Sequence, residues 1–293
     1  MTGHALLYGP AGRLRAGWRL LGYFAVLFVA VSGAMALVGP AAASLGTLVG
    51  ARFDTTSLSL VVGLLAAHAI MLRLEGLPWD AVRLGPVAAR RGAWGAGLLA
   101  GTVAMALPAG GLLLAGWLAF EPTPDGSWWG TALSLSLFLL PAALWEELVF
   151  RGYLFTVLED LGGRYAAIGV TSALFGLAHG MNAGSTALSV GLVAVAGGFL
   201  ALVMVATRSL YAAWAAHWAF NWVQAVALHA AVSGSGFATP DYRMVDTGPD
   251  WATGGQWGPE GGVGTLVGMA AALWMLRAVT RRVGEDRGPR TED

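Results

Sequence analysis

Apolar residues run along the chain in long blocks, and the polar positions that interrupt them gather in short segments between the blocks. Blocks near or above the roughly 20 residues needed to cross a bilayer recur at 18 to 39, 57 to 74, 93 to 119, 130 to 157, 165 to 181, 186 to 206, 210 to 230 and 262 to 280. The pattern predicts an all-α fold: one polytopic transmembrane bundle of about eight spans, occupying residues 1–293 as a single domain. The longest connection, about 231 to 261, is rich in Gly, with Pro240, Pro249, Pro259, Trp251 and Trp257. It reads as a partly irregular external cap whose tryptophans rest at the membrane interface. In the segment 75 to 91, Pro78, Trp79 and Pro86 mark turns. Gly97 and Gly101 form a G-x-x-x-G pair suited to close helix packing.

Charge gives these spans a direction. Under eight spans the connections fall into two sets, and one set, with both termini, holds 14 of the 17 basic residues, all Arg. The opposite set has Arg52 and Arg243, and Arg151 lies within a span. The positive-inside rule therefore places both termini in the cytoplasm. Arg13, Arg15 and Arg19 precede a 19-residue apolar run from Leu20 to Val38, longer than the 7 to 15 residues of a cleaved signal. An uncleaved first span is expected.

Composition agrees with lipid as solvent: 56% of residues are hydrophobic and 12% charged, against about 25% charged in soluble domains. Net charge is zero, which implies no nucleic-acid partner. Cys is absent, so disulfides and thiolate metal sites are excluded. Any metal has to use His, carboxylate or amide ligands.

Against this background, ionisable residues inside spans call for a reason, because each costs about 2.5–3.5 kcal/mol to insert. The fourth span carries Glu146, Glu147 and Arg151. Glu147 and Arg151 are four apart and can pair, which makes burial tolerable. Glu146 points about 100° away, toward a water-filled interior. The fifth span carries Phe175 and His179 on one face, and the seventh His217 and Asn221. At ~1.5 Å per residue, Glu146 and His217 fall in the same cytoplasmic half, whereas His179 computes to a shallower outer position. His4, His68 and His229 receive no role.

These residues resemble the CaaX proteases and bacteriocin-processing enzymes, the CPBP or Abi membrane proteases, whose pattern is E-E-x-x-x-R, F-x-x-x-H and H-x-x-x-[ND] on three spans. Glu146, Glu147 and Arg151 match the first element, Phe175 and His179 the second, His217 and Asn221 the third. The resemblance implies an intramembrane endopeptidase with a protease core at about 130–230, acting on a peptide or membrane-protein substrate from the multi-pass setting of the cell inner membrane. It implies Glu146 as general base, His179 as positioner of water or metal ligand, and His217 with Asn221 as oxyanion donors. Glu147, Arg151 and Phe175 would support them. Either no cofactor is needed, or zinc sits on His179, His217 and Glu146; H-E-x-x-H, the usual helical zinc-protease motif, is absent. The alternatives are a haem protein held by His179 and His217, and a proton-coupled transporter.

Overall fold

In a bilayer every backbone N–H and C=O has to be satisfied within the protein, which favours long helices with closed ends. The computed structural model describes residues 7–8, 14–49, 54–123, 127–237 and 242–285. His4, Arg13, Arg52, Arg287, Arg290 and Pro240 lie outside the described residues. The helices are α1 (Ala16–Val49), α2 (Thr55–Glu75), α3 (Arg91–Leu114), α4 (Trp128–Arg151), α5 (Tyr153–Ala178), α6 (Ala187–Thr207), α7 (Leu210–Trp222) and α8 (Gly264–Glu285). A two-stranded antiparallel ribbon joins β1 (Leu118–Pro122) to β2 (Tyr242–Asp246).

By length and hydropathy, five stretches among the described residues suffice to cross a membrane: Ala16–Leu48, Thr55–Glu75, Arg91–Leu114, Trp128–Met181 and Ala187–Thr207. The fourth holds both α4 and α5, and the apolar part of α8, Gly264–Ala278, is shorter. Several expected boundaries are corrected. The first helix continues through Pro40 to Val49. The fourth ends at Arg151 rather than 157, and the fifth begins at Tyr153 rather than 165, with a break at Gly163 (φ 79°). The seventh is a 13-residue α-helix followed by a π-helical turn, Val223–Ala227. Depth arithmetic that assumes straight, unbroken helices misplaces His179 for this reason.

Local chemistry closes the helix ends. Asp54 caps α2 by accepting from the Ser57 N–H at 3.0 Å, and Thr186 with Ser189 forms a reciprocal capping box on α6. The expected third span stops at Leu114 rather than 119 because Gly116 turns left-handed (φ 73°). There the Gly116 and Trp117 N–H groups bond back to Leu113 and Leu112, a Schellman closure. The chain then enters β1, where Glu121 faces Arg243 of β2 across a 2.6 Å ion pair.

Small residues set the helix spacing around the core. Gly97 and Gly101 of α3 lie against Ala212 and Ala216 of α7, and a Cβ on either glycine would overlap the facing backbone carbonyl. Further along α3, Gly268 of α8 meets Ala104 and Pro108. Close approach of this kind replaces the hydrophobic drive that lipid removes. It fixes α7, which carries His217 and Asn221, against the middle of the bundle.

The 231–261 connection is irregular only in part. Besides β2 it holds helical turns at Asp250–Thr253, Gly255–Trp257 and Pro259–Gly261. Trp251 is exposed, as an interfacial residue would be, but Trp257 is 2% exposed and packs with Phe150, Phe175 and Val193. The interfacial reading is therefore corrected for Trp257: it belongs to the core that packs behind Phe175.

Candidate active site

The last turns of α4 present the carboxylates, and the end of α4 is held open by a histidine. At Gly152 the chain leaves the helix, and a Cβ there would collide with the His68 ring. His68 Nδ1 lies 2.7 Å from the Leu64 carbonyl, which only accepts, so this nitrogen carries the proton. Its Nε2 then accepts from the Tyr153 N–H at 2.9 Å, satisfying a donor at the start of α5. His68 thus has the hydrogen-bonding role of a structural residue.

Glu147 and Arg151 are fully buried and paired at 3.1 Å across one turn. Arg151 donates from Nη2 to the Gly197 carbonyl of α6 at 2.8 Å, and its guanidinium lies 4.4 Å from the Phe175 ring centre. Three helices are tied at this one side chain. The same Glu147 oxygen accepts from His217 Nδ1 at 2.9 Å, a link that spacing along the chain does not reveal because the residues are 70 apart. The carboxylate that neutralises Arg151 also orients the imidazole of α7.

Glu146 diverges from this pair and lines a cavity of about 190 Å³ with Phe175, His179, His217 and Asn221. Its Oε2 lies 3.8 Å from His179 Nε2 and 3.9 Å from His217 Nε2. His179 Nδ1 is 2.8 Å from the Phe175 carbonyl, so it too holds its proton there. Both imidazoles therefore turn Nε2 toward one carboxylate oxygen. That oxygen is buried and has no hydrogen-bond partner. The gaps are too long for direct hydrogen bonds and leave the oxygen open to a small guest.

Seven residues predicted from three separate spans thus meet in one place. Phe175 is packed beneath, edge-on to Phe150 and against both histidines. Asn221 sits one turn beyond His217, buried at the cavity wall. His229 lies elsewhere, stacked on Tyr242 with ring centres 3.8 Å apart.

Among the cavity residues that were not anticipated, Asn182, Ser233 and Glu260 form a bonded group. Glu260 accepts from Ser233 Oγ at 2.7 Å and from Gln224 Nε2 at 3.2 Å, while Asn182 donates to the Ser233 carbonyl at 3.0 Å. Ser233 is left-handed (φ 48°), and these bonds hold it so. Glu260 falls in a Gly-rich connection among other acidic residues, and the pattern of the chain gives no signal that separates it from them.

The donors Glu146, His179 and His217 are of the type zinc takes, and each Nδ1 has the outer hydrogen bond that usually orients a metal-bound imidazole. Tetrahedral zinc at ~2.0–2.1 Å bonds would set its ligand atoms roughly 3.3–3.4 Å apart, closer than the 3.8 and 3.9 Å observed. Among the described residues no group of three His, Asp or Glu has the spacing of a metal site. Zinc would require these side chains to draw together by about half an ångström.

Residues 127–223, which include all seven predicted positions, match the family model described as type II CAAX prenyl endopeptidase Rce1-like, so this segment is similar to the CPBP family. The family points to a peptidase, and the apolar helices to a multi-pass membrane protein. No curated protein and no solved structure matches the chain.

Proposed function

We propose that this protein is an intramembrane endopeptidase of the CPBP type that hydrolyses a peptide bond with a water activated by Glu146. The observation that carries the reading is the convergence of two oriented Nε2 atoms on one unpartnered carboxylate oxygen, at 3.8 and 3.9 Å. A water bridging these atoms transfers a proton to Glu146 as its oxygen attacks the substrate carbonyl carbon. The C–N bond then breaks, and the proton on Glu146 passes to the leaving amine. General-base catalysis of this kind contributes typically ~10²–10⁴-fold.

His179 positions the water, and the Glu147 carboxylate sets the orientation of His217. With its Nδ1 proton bonded to Glu147, His217 donates from Nε2 as the imidazolium, and with Asn221 it supplies hydrogen bonds to the developing oxyanion, a role in which loss of one donor costs roughly 10²–10³ in rate. Arg151 and Phe175 hold α4, α5 and α6 in register around them. No step requires a metal.

The haem alternative is poorly supported by this geometry. Glu146 stands between the two imidazoles in a cavity of about 190 Å³, too small for a porphyrin. A Soret band in purified protein would restore that reading. Proton-coupled transport would need substrate flux dependent on Glu146 in liposomes.

The finer topology belongs to the same proposal: eight spans, both termini in the cytoplasm, a protease core at about 130–230 and an external cap at about 231–261, in the cell inner membrane. The chain has no Cys, so single introduced cysteines report sides directly. Arg90→Cys is expected to be labelled from the cytoplasm and Glu121→Cys from outside. For the reaction, cells carrying wild-type protein should accumulate cleaved peptides that cells carrying Glu146→Ala, His179→Ala or His217→Ala lack. Equal peptide profiles from folded, inserted variants would refute it.

A further inference from the structure

At the end of the bundle opposite the ribbon, the α2–α3 connection, the break in α5 and the α6–α7 junction enclose a second cavity of about 590 Å³. Arg83, Arg164 and Arg208 line it, with Asp80 as the acidic member and Val87 and Val205 among the apolar ones. We propose that this cavity binds a phosphodiester group, the headgroup of an anionic phospholipid, and thereby braces the helices that carry the candidate active site. The inference stands on this geometry alone and does not depend on the peptidase reading.

Charge is the first argument. Glu159 bridges two of the arginines, Arg83 at 2.6 Å and Arg164 at 3.3 Å. Arg208 has no carboxylate within ion-pair distance among the described residues. Three guanidinium groups against Glu159 and Asp80 leave one positive charge in surplus, which matches the single negative charge of a phosphodiester. Arg83 Nη1 is buried with no hydrogen-bond partner, and a buried charged N–H of this kind is costly to leave unmet. Phosphate oxygens suit such planar donors.

Backbone conformation is the second argument. Arg83 (φ 58°) and Arg208 (φ 54°) both end helical segments in the left-handed region, where glycine or asparagine is the usual residue. Both strained positions hold arginine, and both border the same cavity. Strain kept at a site is a sign that the side chain is needed there.

Position favours a lipid over a soluble anion. Val87, Leu161 and Tyr165 are exposed on the same segments. Trp94 is stacked on Tyr211, 5.3 Å between ring centres, at the adjoining start of α3 and α7, as residues of an interfacial belt would be. Basic pockets between helices at this level are suited to phospholipid headgroups.

A bound headgroup would act on the active-site helices through existing bonds. The Arg83 carbonyl accepts from the Leu210 N–H at 3.0 Å, Leu84 from the Tyr211 hydroxyl at 3.0 Å, and Ala88 from Ser209 Oγ at 2.6 Å. These clip the arginine loop to the first turn of α7, two turns before His217.

The test is thermal unfolding of the full chain in nanodiscs of phosphatidylcholine alone or with phosphatidylglycerol, and in phosphatidylcholine with inorganic phosphate. Phosphatidylglycerol should raise the unfolding temperature of the wild type. Arg208→Gly should weaken its apparent binding about fivefold or more, yet be as stable as wild type in phosphatidylcholine, because glycine relieves the left-handed strain. If Arg208→Gly is itself unstable, Arg164→Gln, an exposed change, replaces it with the same expectation. Stabilisation by inorganic phosphate alone, lost in the same variants, supports the site with a soluble source of phosphate. Equal stability in all three conditions, or a phosphatidylglycerol effect undiminished in both variants, overturns the proposal.

Discussion

Replacing Glu147 by Gln removes a charge while keeping the acceptor, because Arg151 and His217 both bond to the same Oε1 and the other oxygen has no partner. An amide oriented with its oxygen in that position retains both bonds. What is lost is compensation of the Arg151 guanidinium, which is fully buried. Breaking one side of a buried pair typically costs about 3–5 kcal/mol. Arg151→Met alone should cost a similar amount, since it leaves the Glu147 carboxylate without its cation and also breaks the bond to the Gly197 carbonyl. The double variant removes both charges together and should therefore lose about 2–4 kcal/mol less than the two singles summed. Unfolding in mixed detergent micelles, followed by circular dichroism, measures all four proteins. If the two losses simply add, the pair does not compensate charge and the reasoning fails. Activity should separate from stability in the same set. The double variant recovers fold but not cleavage, because His217 no longer donates to a carboxylate.

Further outcomes follow from other contacts. Gly101→Val should destabilise the bundle strongly, since even a Cβ overlaps the Ala216 carbonyl, while Gly95→Ala, with open space around it, should be neutral or slightly stabilising in the same assay. Glu260→Ala should lower cleavage while leaving overall stability less affected than Glu147→Gln, because it frees Ser233 at the cavity wall rather than a buried cation; unchanged kinetics would show that the wall plays no part. Chelator treatment should leave cleavage intact. Loss that only zinc restores would instead assign Glu146, His179 and His217 to a metal.

Much of the candidate site was legible in the chain because its motifs are local: i,i+4 spacing pairs Glu147 with Arg151 and puts His217 and Asn221 on one face. The cost of charge in lipid then marks those turns for attention. The bridge from Glu147 to His217 and the closure by Glu260 depend on contacts between distant segments, 70 residues apart in the first case. For the fold, apolar blocks located the helices, while their breaks came from single residues whose effect is three-dimensional. Gly152 ends α4 where His68 of α2 takes up the space a side chain would need. Similarly, β1 was not foreseen, its first two residues falling at the end of an apolar block, because its partner β2 lies over a hundred residues away. Trp257 reads as interfacial from composition, yet its ring completes a core begun by Phe150 and Phe175.

The central claim is that Glu146 activates the hydrolytic water, and the most direct measurement is single-turnover cleavage by purified protein in liposomes. Candidate peptides would come from the comparison of cells with and without active protein. Wild type should release products, and Glu146→Gln, which keeps the shape of the side chain but removes its basicity, should be slower by at least about 10²-fold with unchanged folding and substrate binding. Release at the wild-type rate by Glu146→Gln would contradict the account.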